Sequence, residues 1–492
     1  MASSRTALYH VGLVILLACF VQARQVYVDC SIAAAEGDGT RGKPYGTIDE
    51  VNQLLFYPGD SLTFKAGTTC VGALLPKGSG TKDAPILLTS YGDQGQLPII
   101  NGNGTSDAVS LINQDYYEIS RIAVTNPSVE IAKRRGVVAT ADDGKVHYGI
   151  SIHDVMVYDV AGQTNKATQS DDFVASAGIA VNGTGNNSRF DDVSVYSNTV
   201  RDCGGGGIKV RVGQENNRGL GTHVWGNDIS QVGGDGIVVS FSDSPLIESN
   251  AGGYLGYGKY PYTGGNFAGM WVLGCLNAIL RFNVVHTTIM SVADSEAFDC
   301  DYDNEGNCTI EYNYTYNNGG GFFLNCDGCD VPSAQRGPRQ IVRYNIFHDC
   351  RMQNHGDTVT IEFYNNVVYC PDKAFDIQAA PNTNFTNNIF VGNSNYSSSL
   401  PNSTSINWAS NLFYNVKKPA GSVAGIVADP KFVRPGVDGD TLGSANGYKL
   451  QKGSPAFRRG SVVPNGAERD FWGNIVSVYP RPNIGAYNGL GV

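Results

Sequence analysis

Two aspartates, Asp299 and Asp301, stand two residues apart in the run AFDCDYD at 297–303. On a β-strand, residues two apart share a face, with α-carbons roughly 6.5–7 Å apart. Glycoside hydrolysis needs a proton donor and a second carboxylate. Inverting enzymes hold the two about 6.5–9.5 Å apart, so that a water fits between them. The pair therefore reads as the general acid and base of an inverting hydrolase, a reading that needs no cofactor. Asp303 continues the row by the same alternation. Asp299, Asp301 and Asp303 together would also suit Ca²⁺, which takes several oxygen ligands. The plain alternative is a solvated turn, because DYDNEG carries turn chemistry from Asp303 onward.

Runs of the same kind recur: GIAVNG, GIKVRVG, GIVVSF, GMWVLG, GFFLNCD and AFDIQAA. In each, the second and fourth residues are apolar and point inward, so the third and fifth point out. The outward pairs are then Ala180/Asn182, Lys209/Arg211, Val238/Ser240, Trp271/Leu273, Asp299/Asp301, Phe323/Asn325 and Asp376/Gln378. Trp271 and Phe323 on a solvent face ask for a covering group. A sugar ring would serve, with Trp271 as platform and Phe323 and Asn325 beside it. So would a loop, such as the Tyr- and Gly-rich insertion at 242–269. Lys209 and Arg211 fit sugar binding, or a lyase in which a cation neutralises a uronate while a base takes its proton. The plain reading of that pair is surface charge. His147, His153, His286, His348 and His355 show no triad spacing.

What must position these residues is a repeat. Asparagine returns in SNTV (Asn198), GNDI (Asn227), FNVV (Asn283), YNYT (Asn313), YNIF (Asn345), NNVV (Asn366), NNIF (Asn388) and SNLF (Asn411). The spacings are 29, 56, 30, 32, 21, 22 and 23 residues, the 56 reading as two repeats of 28 around a long loop. A drifting period with strand-like content describes a β-solenoid. Stacked turns would bury one apolar column, and each asparagine, placed in the left-handed backbone region, would bond to its counterparts. Leucine-rich repeats are excluded by the absence of their L-x-x-L-x-L phrase. At the front, Thr47-Ile-Asp-Glu50 forms a capping box for a short helix through Phe56, suited to plug the open end. After Pro419 the asparagine phrase is lost and Gly and Pro rise, as in a terminal wrap.

Composition agrees. The 492 residues include 61 Gly and 26 Tyr, only 16% are charged, and the net charge is −10. Nucleic acid, which wants a basic face, is excluded as a partner. Residues 1–23 read as a signal peptide: Arg5, an apolar run from Val11 to Val21, then Val21 and Ala23 before the cut. Residues 24–492 then form one secreted domain, with about 24–100 as cap and first rungs and about 420–492 as the wrap. No later segment is long and apolar enough to span a bilayer, so no membrane partner is expected once the leader is removed. Ten cysteines remain after Cys19 leaves with the leader, an even count that favours disulfides in an oxidising compartment. Cys300 with Cys308 and Cys326 with Cys329 are local pairs. Sequons begin at Asn103, Asn182, Asn186, Asn307, Asn313, Asn384, Asn395 and Asn402, so some N-glycosylation is expected.

The opening segment, YVDCSIAAAEGDGTRGKPYGTIDEVNQLL through PGDSLTFKAGTTCVG and GSGTKDAPILLTSYGDQGQLPIING, resembles that of secreted proteins of the pectate-lyase-like superfamily. So does the closing segment, ADPKF, YKLQKGSPAFRRG, RDFWGN and PRPNIGAYNG. The resemblance implies an all-β fold, a right-handed parallel β-helix with a short N-terminal capping helix. It does not fix a reaction, since that superfamily holds lyases, hydrolases, epimerases and adhesins. The polygalacturonase phrases NTD, DD, GHG and RIK are missing, with GIK at 207–209 a faint echo, and the alginate-epimerase DPHD is absent. Three functions follow in order: a glycoside hydrolase on an extracellular or cell-wall polysaccharide, a Ca²⁺-dependent lyase on a uronic-acid polymer, and a non-catalytic carbohydrate-binding surface protein. The protein is expected to act as a monomer.

Overall fold

The structure is a computed structural model. It describes residues 23–32, 37–93, 95–164, 173–185, 187–292, 294–326, 339–356, 358–396 and 399–492. The expected leader, residues 1–23, therefore lies outside the described residues, apart from Ala23.

Among the described residues the chain coils through three long sheets, every strand parallel to its neighbours. The first has 14 strands from Gln25–Val28 to Asn407–Ala409. The second has 14 from Thr69–Val71 to Ile426–Val427, and the third has 10 from Asp107–Ile112 to Asp376–Ile377. One turn of the coil runs Ile279–Arg281, Val284–Thr288, Glu296–Cys300, and the next runs Asn307–Glu311, Tyr314–Tyr316, Gly321–Asn325. Strands this short bury little alone, but stacking turns their inward residues into one column that includes Leu280, Val285, Phe298, Ile310 and Phe323.

The asparagine repeat is the corner between the first and second sheets. Asn283 shows the unit. Its Nδ2 donates to Ile247 O (3.0 Å) and to Asn313 Oδ1 (3.1 Å), and its backbone N–H donates to the same Asn313 Oδ1 (2.8 Å). The same bonds link Asn198 through Asn411. Asn250 is a member the phrase did not show, splitting the gap of 56 into 23 and 33 residues. The expected left-handed backbone falls one residue earlier, on Ser197, Gly226, Ser249, Phe282, Tyr312, Tyr344, Asn365, Asn387 and Ser410. That residue makes the bend, and the asparagine after it turns its amide inward. Asn313 is also a sequon, and its amide is committed to this ladder, so a glycan there is incompatible with the fold.

The capping box closes as expected. Thr47 Oγ1 accepts the Glu50 N–H, and the Glu50 carboxylate accepts the N–H of Thr47 and Gly46. The helix is Ile48–Asn52, shorter than expected. The Phe56 N–H is taken by Lys77 O, a sheet-like bond that ends helical pairing, while Ile48, Val51 and Phe56 all join the column. After the last rungs, Phe432, Tyr448, Phe471 and Tyr487 pack on outward residues of the second sheet, among them Tyr314, Ile346 and Leu412.

Disulfides join Cys30–Cys70, Cys300–Cys308 and Cys350–Cys370, and Cys326 is also disulfide-bonded. Pairing of Cys326 with Cys329 falls outside the described residues. Not every cysteine is bridged: Cys203 and Cys275 are buried thiols in the apolar column, acting as small hydrophobes. Burial raises both thiols, Cys275 to about 12, which makes them inert in the native state. Thiol titration with peptide mapping should find Cys203 and Cys275 unreactive in the native protein and reactive once it is denatured without reductant. Finding them bridged would contradict this. Among the described residues no helix is long and apolar enough to cross a membrane.

Candidate functional site

Register on the third sheet aligns Ala180, Lys209, Val238, Trp271, Asp299, Leu324 and Gln353 along one outward line. Beside it run Asn182, Arg211, Ser240 and Leu273. The expected alternation therefore holds from Ala180 to Asp299 and slips by one in the next strand. Phe323 pairs with Phe298 and lies in the apolar column, so it is not a surface residue, and Leu324 takes the place opposite Asp299. Gly319 and Gly320 precede that strand and Gly321 opens it, and none offers a side chain to set its register. Burial of Phe323, and of Phe322 stacked on Phe347 at 4.4 Å, sets it instead. Asn325 moves with the slip. It is buried opposite Cys300, donates to Asn354 Oδ1 and Gly356 O, and accepts from Gln340 Nε2 on the first sheet. It braces two sheets from inside and does not face a groove.

The strand bearing Asp299 ends at Cys300. Asp301 follows it, with its N–H on Val272 O (3.0 Å) and its Oδ1 accepting the Tyr302 N–H (2.8 Å). Asp303 has left the strand altogether, at φ 60° in the left-handed region, so the three-carboxylate row expected for Ca²⁺ does not continue by alternation. Among the described residues no group of three or more His, Cys, Asp or Glu is arranged to hold a metal ion.

Asp299 is 5% exposed. Burial first, then the charges of Asp301, Asp294, Glu296 and Asp235, hold its carboxyl well above the usual carboxylate range. Glu296, at the head of the same strand, is pushed up by burial as well. The rung from 294 to 301 thus gathers four carboxyl groups, those of Asp299 and Glu296 both raised above the usual carboxylate range.

On the N-terminal side of this rung the outward line is covered. Trp271 is 7% exposed, its ring 5.9 Å from that of Phe173. Phe173, Val174, Val238, Ala268, Trp271 and Leu273 form a small apolar cluster outside the coil. Of the insertion at 242–269 only Ala268 joins it, and most of the cover comes from 173–174. The Trp271 indole N–H donates to Asp235 Oδ1 (2.9 Å). Lys209, expected at the surface, is 1% exposed, with its ammonium 3.1 Å from Asp235 Oδ2 and donating to Phe173 O at 2.7 Å. Such an ion pair persists only with both partners, since removing one leaves a buried charge. Arg211 places its guanidinium 5.3 Å from the centre of the Phe241 ring. On the C-terminal side Arg351 pairs with Asp376 (3.1 Å) and donates to Gln353 Oε1 (2.7 Å). His147, His153, His286 and His348 lie on the first and second sheets, away from this face, and each pairs with a carboxylate.

Asp235 and Glu296 are the residues that sequence reading missed. Each stands at the first position of its strand, one place before the alternation template begins. The signal available was an acid immediately before an apolar run, in GGDGIVV and SEAFDC.

No family model matches the chain. A lacto-N-biosidase of Bifidobacterium longum subsp. longum is 24% identical over 587 residues, which cover 92% of this chain and 36% of that protein. The chain thus spans about a third of the length of this curated relative. The solved GH136 lacto-N-biosidase of Eubacterium ramulus superposes with a TM-score of 0.56 at 19% identity, over 82% of this chain and 67% of that one. The chain shares the parallel β-helix fold of that structure. In this β-helix the acidic rung lies on the third sheet, between a covered stretch and the Arg351 rung.

Proposed function

We propose that the chain is a secreted glycoside hydrolase acting on an extracellular or cell-wall polysaccharide, with Asp299 as general acid and Asp301 as the second carboxylate. The observation that carries this is the state of Asp299: a buried carboxyl ringed by four others, which keeps its proton into the pH range where a free aspartate has lost it. Such a group protonates a leaving glycosidic oxygen. Asp301, next along the chain and less buried, is the group to activate water. Similarity to a protein named lacto-N-biosidase supports the reaction class. Of the two cations the lyase reading could use, Lys209 and Arg211, Lys209 is engaged with Asp235 under the Phe173 cover, which favours the hydrolase reading. Secretion is supported by the apolar leader and the disulfides.

The test is a screen of the purified protein against neutral and uronic polysaccharides, following reducing ends and the ultraviolet absorbance of unsaturated products. Reducing ends without unsaturated product are expected. Both signals together would mean a lyase. Binding with neither signal would mean a non-catalytic carbohydrate-binding protein.

A further inference from the structure

The terminal wrap is stitched to the coil along the bend residues of the asparagine corner. Tyr312 Oη donates to Arg469 O (3.0 Å), Asn365 Nδ2 to Gly485 O (2.9 Å) and Asn387 Nδ2 to Ser461 O (2.8 Å), and the hydroxyls of Ser410 and Ser461 lie 2.8 Å apart. Tyr344, the bend residue between Tyr312 and Asn365, breaks the series. It is 1% exposed, yet its hydroxyl bonds no described residue. A buried tyrosine hydroxyl ordinarily finds a partner. The Tyr344 ring lies 5.9 Å from that of Tyr312 at 27°, and the two backbones bend alike, at φ 53° and 57°. Its phenol therefore follows that of Tyr312 toward the wrap.

What it meets there is a cavity of about 220 Å³ between coil and wrap. Tyr344, Tyr364 and Asn365 line it from the coil, Val462, Val463, Val476 and Val478 form an apolar wall, and Glu468 stands at an exposed edge. The Tyr117 hydroxyl elsewhere in the coil is unpartnered and sealed in, whereas that of Tyr344 is unsealed, because the cavity reaches it. Tyr364 Oη accepts from Arg343 Nη1 (2.9 Å), and its own proton has no acceptor among the described residues. Burial raises both phenols, so each keeps its proton at neutral pH. Two O–H donors thus border one space.

The space would hold about seven waters at liquid density. Each would want about two to four polar partners, which the valine wall does not offer. Pockets for drug-sized ligands begin at about 300 Å³, so the occupant is a single ring rather than a length of chain. A sugar ring matches the lining. Its hydroxyls both donate and accept, and its C–H face suits the valines.

We infer that this corner cavity is a second sugar-binding site, which takes one uncharged sugar residue with one hydroxyl accepting from Tyr344 and another donating to Glu468. The choice of a sugar rests on the carbohydrate reading above, while the site itself does not depend on the reaction. The corner between the first and second sheets faces away from the third sheet, so a sugar held here is out of reach of Asp299. The site tethers a glycan and takes no part in its cleavage.

The experiment is a saturation-transfer NMR titration of the full chain with glucose, galactose and N-acetylglucosamine, run on the parent, on Tyr344→Phe and on Asp299→Asn, with melting curves alongside. At least one of the three sugars should bind the parent. Tyr344→Phe keeps the ring stack and removes only the hydroxyl, so it should weaken that binding about fivefold or more, the loss of one hydrogen bond, with no fall in melting temperature. Asp299→Asn should bind as the parent does. No binding of any of the three, or equal binding by Tyr344→Phe and the parent, would overturn the inference. Should Tyr344→Phe fail to fold, Glu468→Ala at the exposed edge takes its place, with a weakening in the same direction expected and unchanged binding overturning the inference. The hydrolase reading fails separately. A chain that binds sugar through Tyr344 yet releases no reducing ends keeps this site and loses the catalytic assignment. A chain that cleaves while Tyr344→Phe binds as tightly as the parent does the reverse.

Discussion

Asp299→Asn is expected to cut turnover at least about 100-fold, the low end of what a positioned acid or base contributes, while the protein melts no lower than its parent at neutral pH. The two halves have one cause. Burial and neighbouring carboxylates raise the folded-state pKa of Asp299 above its value in the unfolded chain. The folded state then holds a proton that the unfolded state has released, so stability falls as pH rises through that interval. Below the ordinary carboxylate range the group costs nothing, and above it the cost grows toward the folded pKa. Asparagine cannot ionise and removes the cost, so its benefit should appear at neutral pH and vanish in acid. Turnover by reducing-end assay and melting curves from acid to neutral pH check this. Full activity in Asp299→Asn would move the chemistry elsewhere. A melting temperature well below the parent would make Asp299 a structural residue instead. Asp301→Asn and Asp294→Asn, assayed together, show which neighbour is the second carboxylate: the account expects the large loss at Asp301.

The second large effect belongs to the ladder. Asn313→Leu is expected to destabilise the protein by at least about 3 kcal/mol. Asn313 Oδ1 accepts both the backbone N–H and the Nδ2 of Asn283, and its own Nδ2 donates to Leu280 O and to Asn345 Oδ1. Leucine fills the volume but orphans at least three groups with no water to replace the bond, each at about 1 kcal/mol or more. Because each ladder member orients the next, the loss should spread to both neighbouring rungs. Equilibrium unfolding in denaturant measures it, with the exposed Asn402→Leu as the control that should change little. Equal stability of Asn313→Leu and the parent would mean the ladder only decorates the corner.

The coil was legible because the ladder needs one residue type at one place in every turn. Asn250 escaped because it precedes Ala-Gly-Gly, where each counterpart has Val, Ile, Leu or Tyr within the next two residues. The backbone of the bend was misassigned for a physical reason. Left-handed geometry suits asparagine in general, but here the amide must point inward, so the bend passes to Phe282, Tyr312 or Ser410 instead. The outward line was legible while strands began alike, and it failed at Gly319–Gly321, where register is set by packing across sheets. Lys209 looked like surface charge because Asp235 and the Phe173 carbonyl, which bury it, lie 26 and 36 residues away along the chain. Local alternation states which side of a strand a residue occupies. It does not state what covers that side.

The most direct test is the fate of water. The glycan that the screen shows to be cleaved is incubated with the protein in water enriched in ¹⁸O, and the products are read by mass spectrometry against the same sugars incubated without enzyme. Hydrolysis places one solvent oxygen on the anomeric carbon of the glycosyl product, so the account expects a shift of about 2 mass units there, absent with Asp299→Asn. Products without that label, one of them lighter by a water and unsaturated, would show elimination and contradict the account.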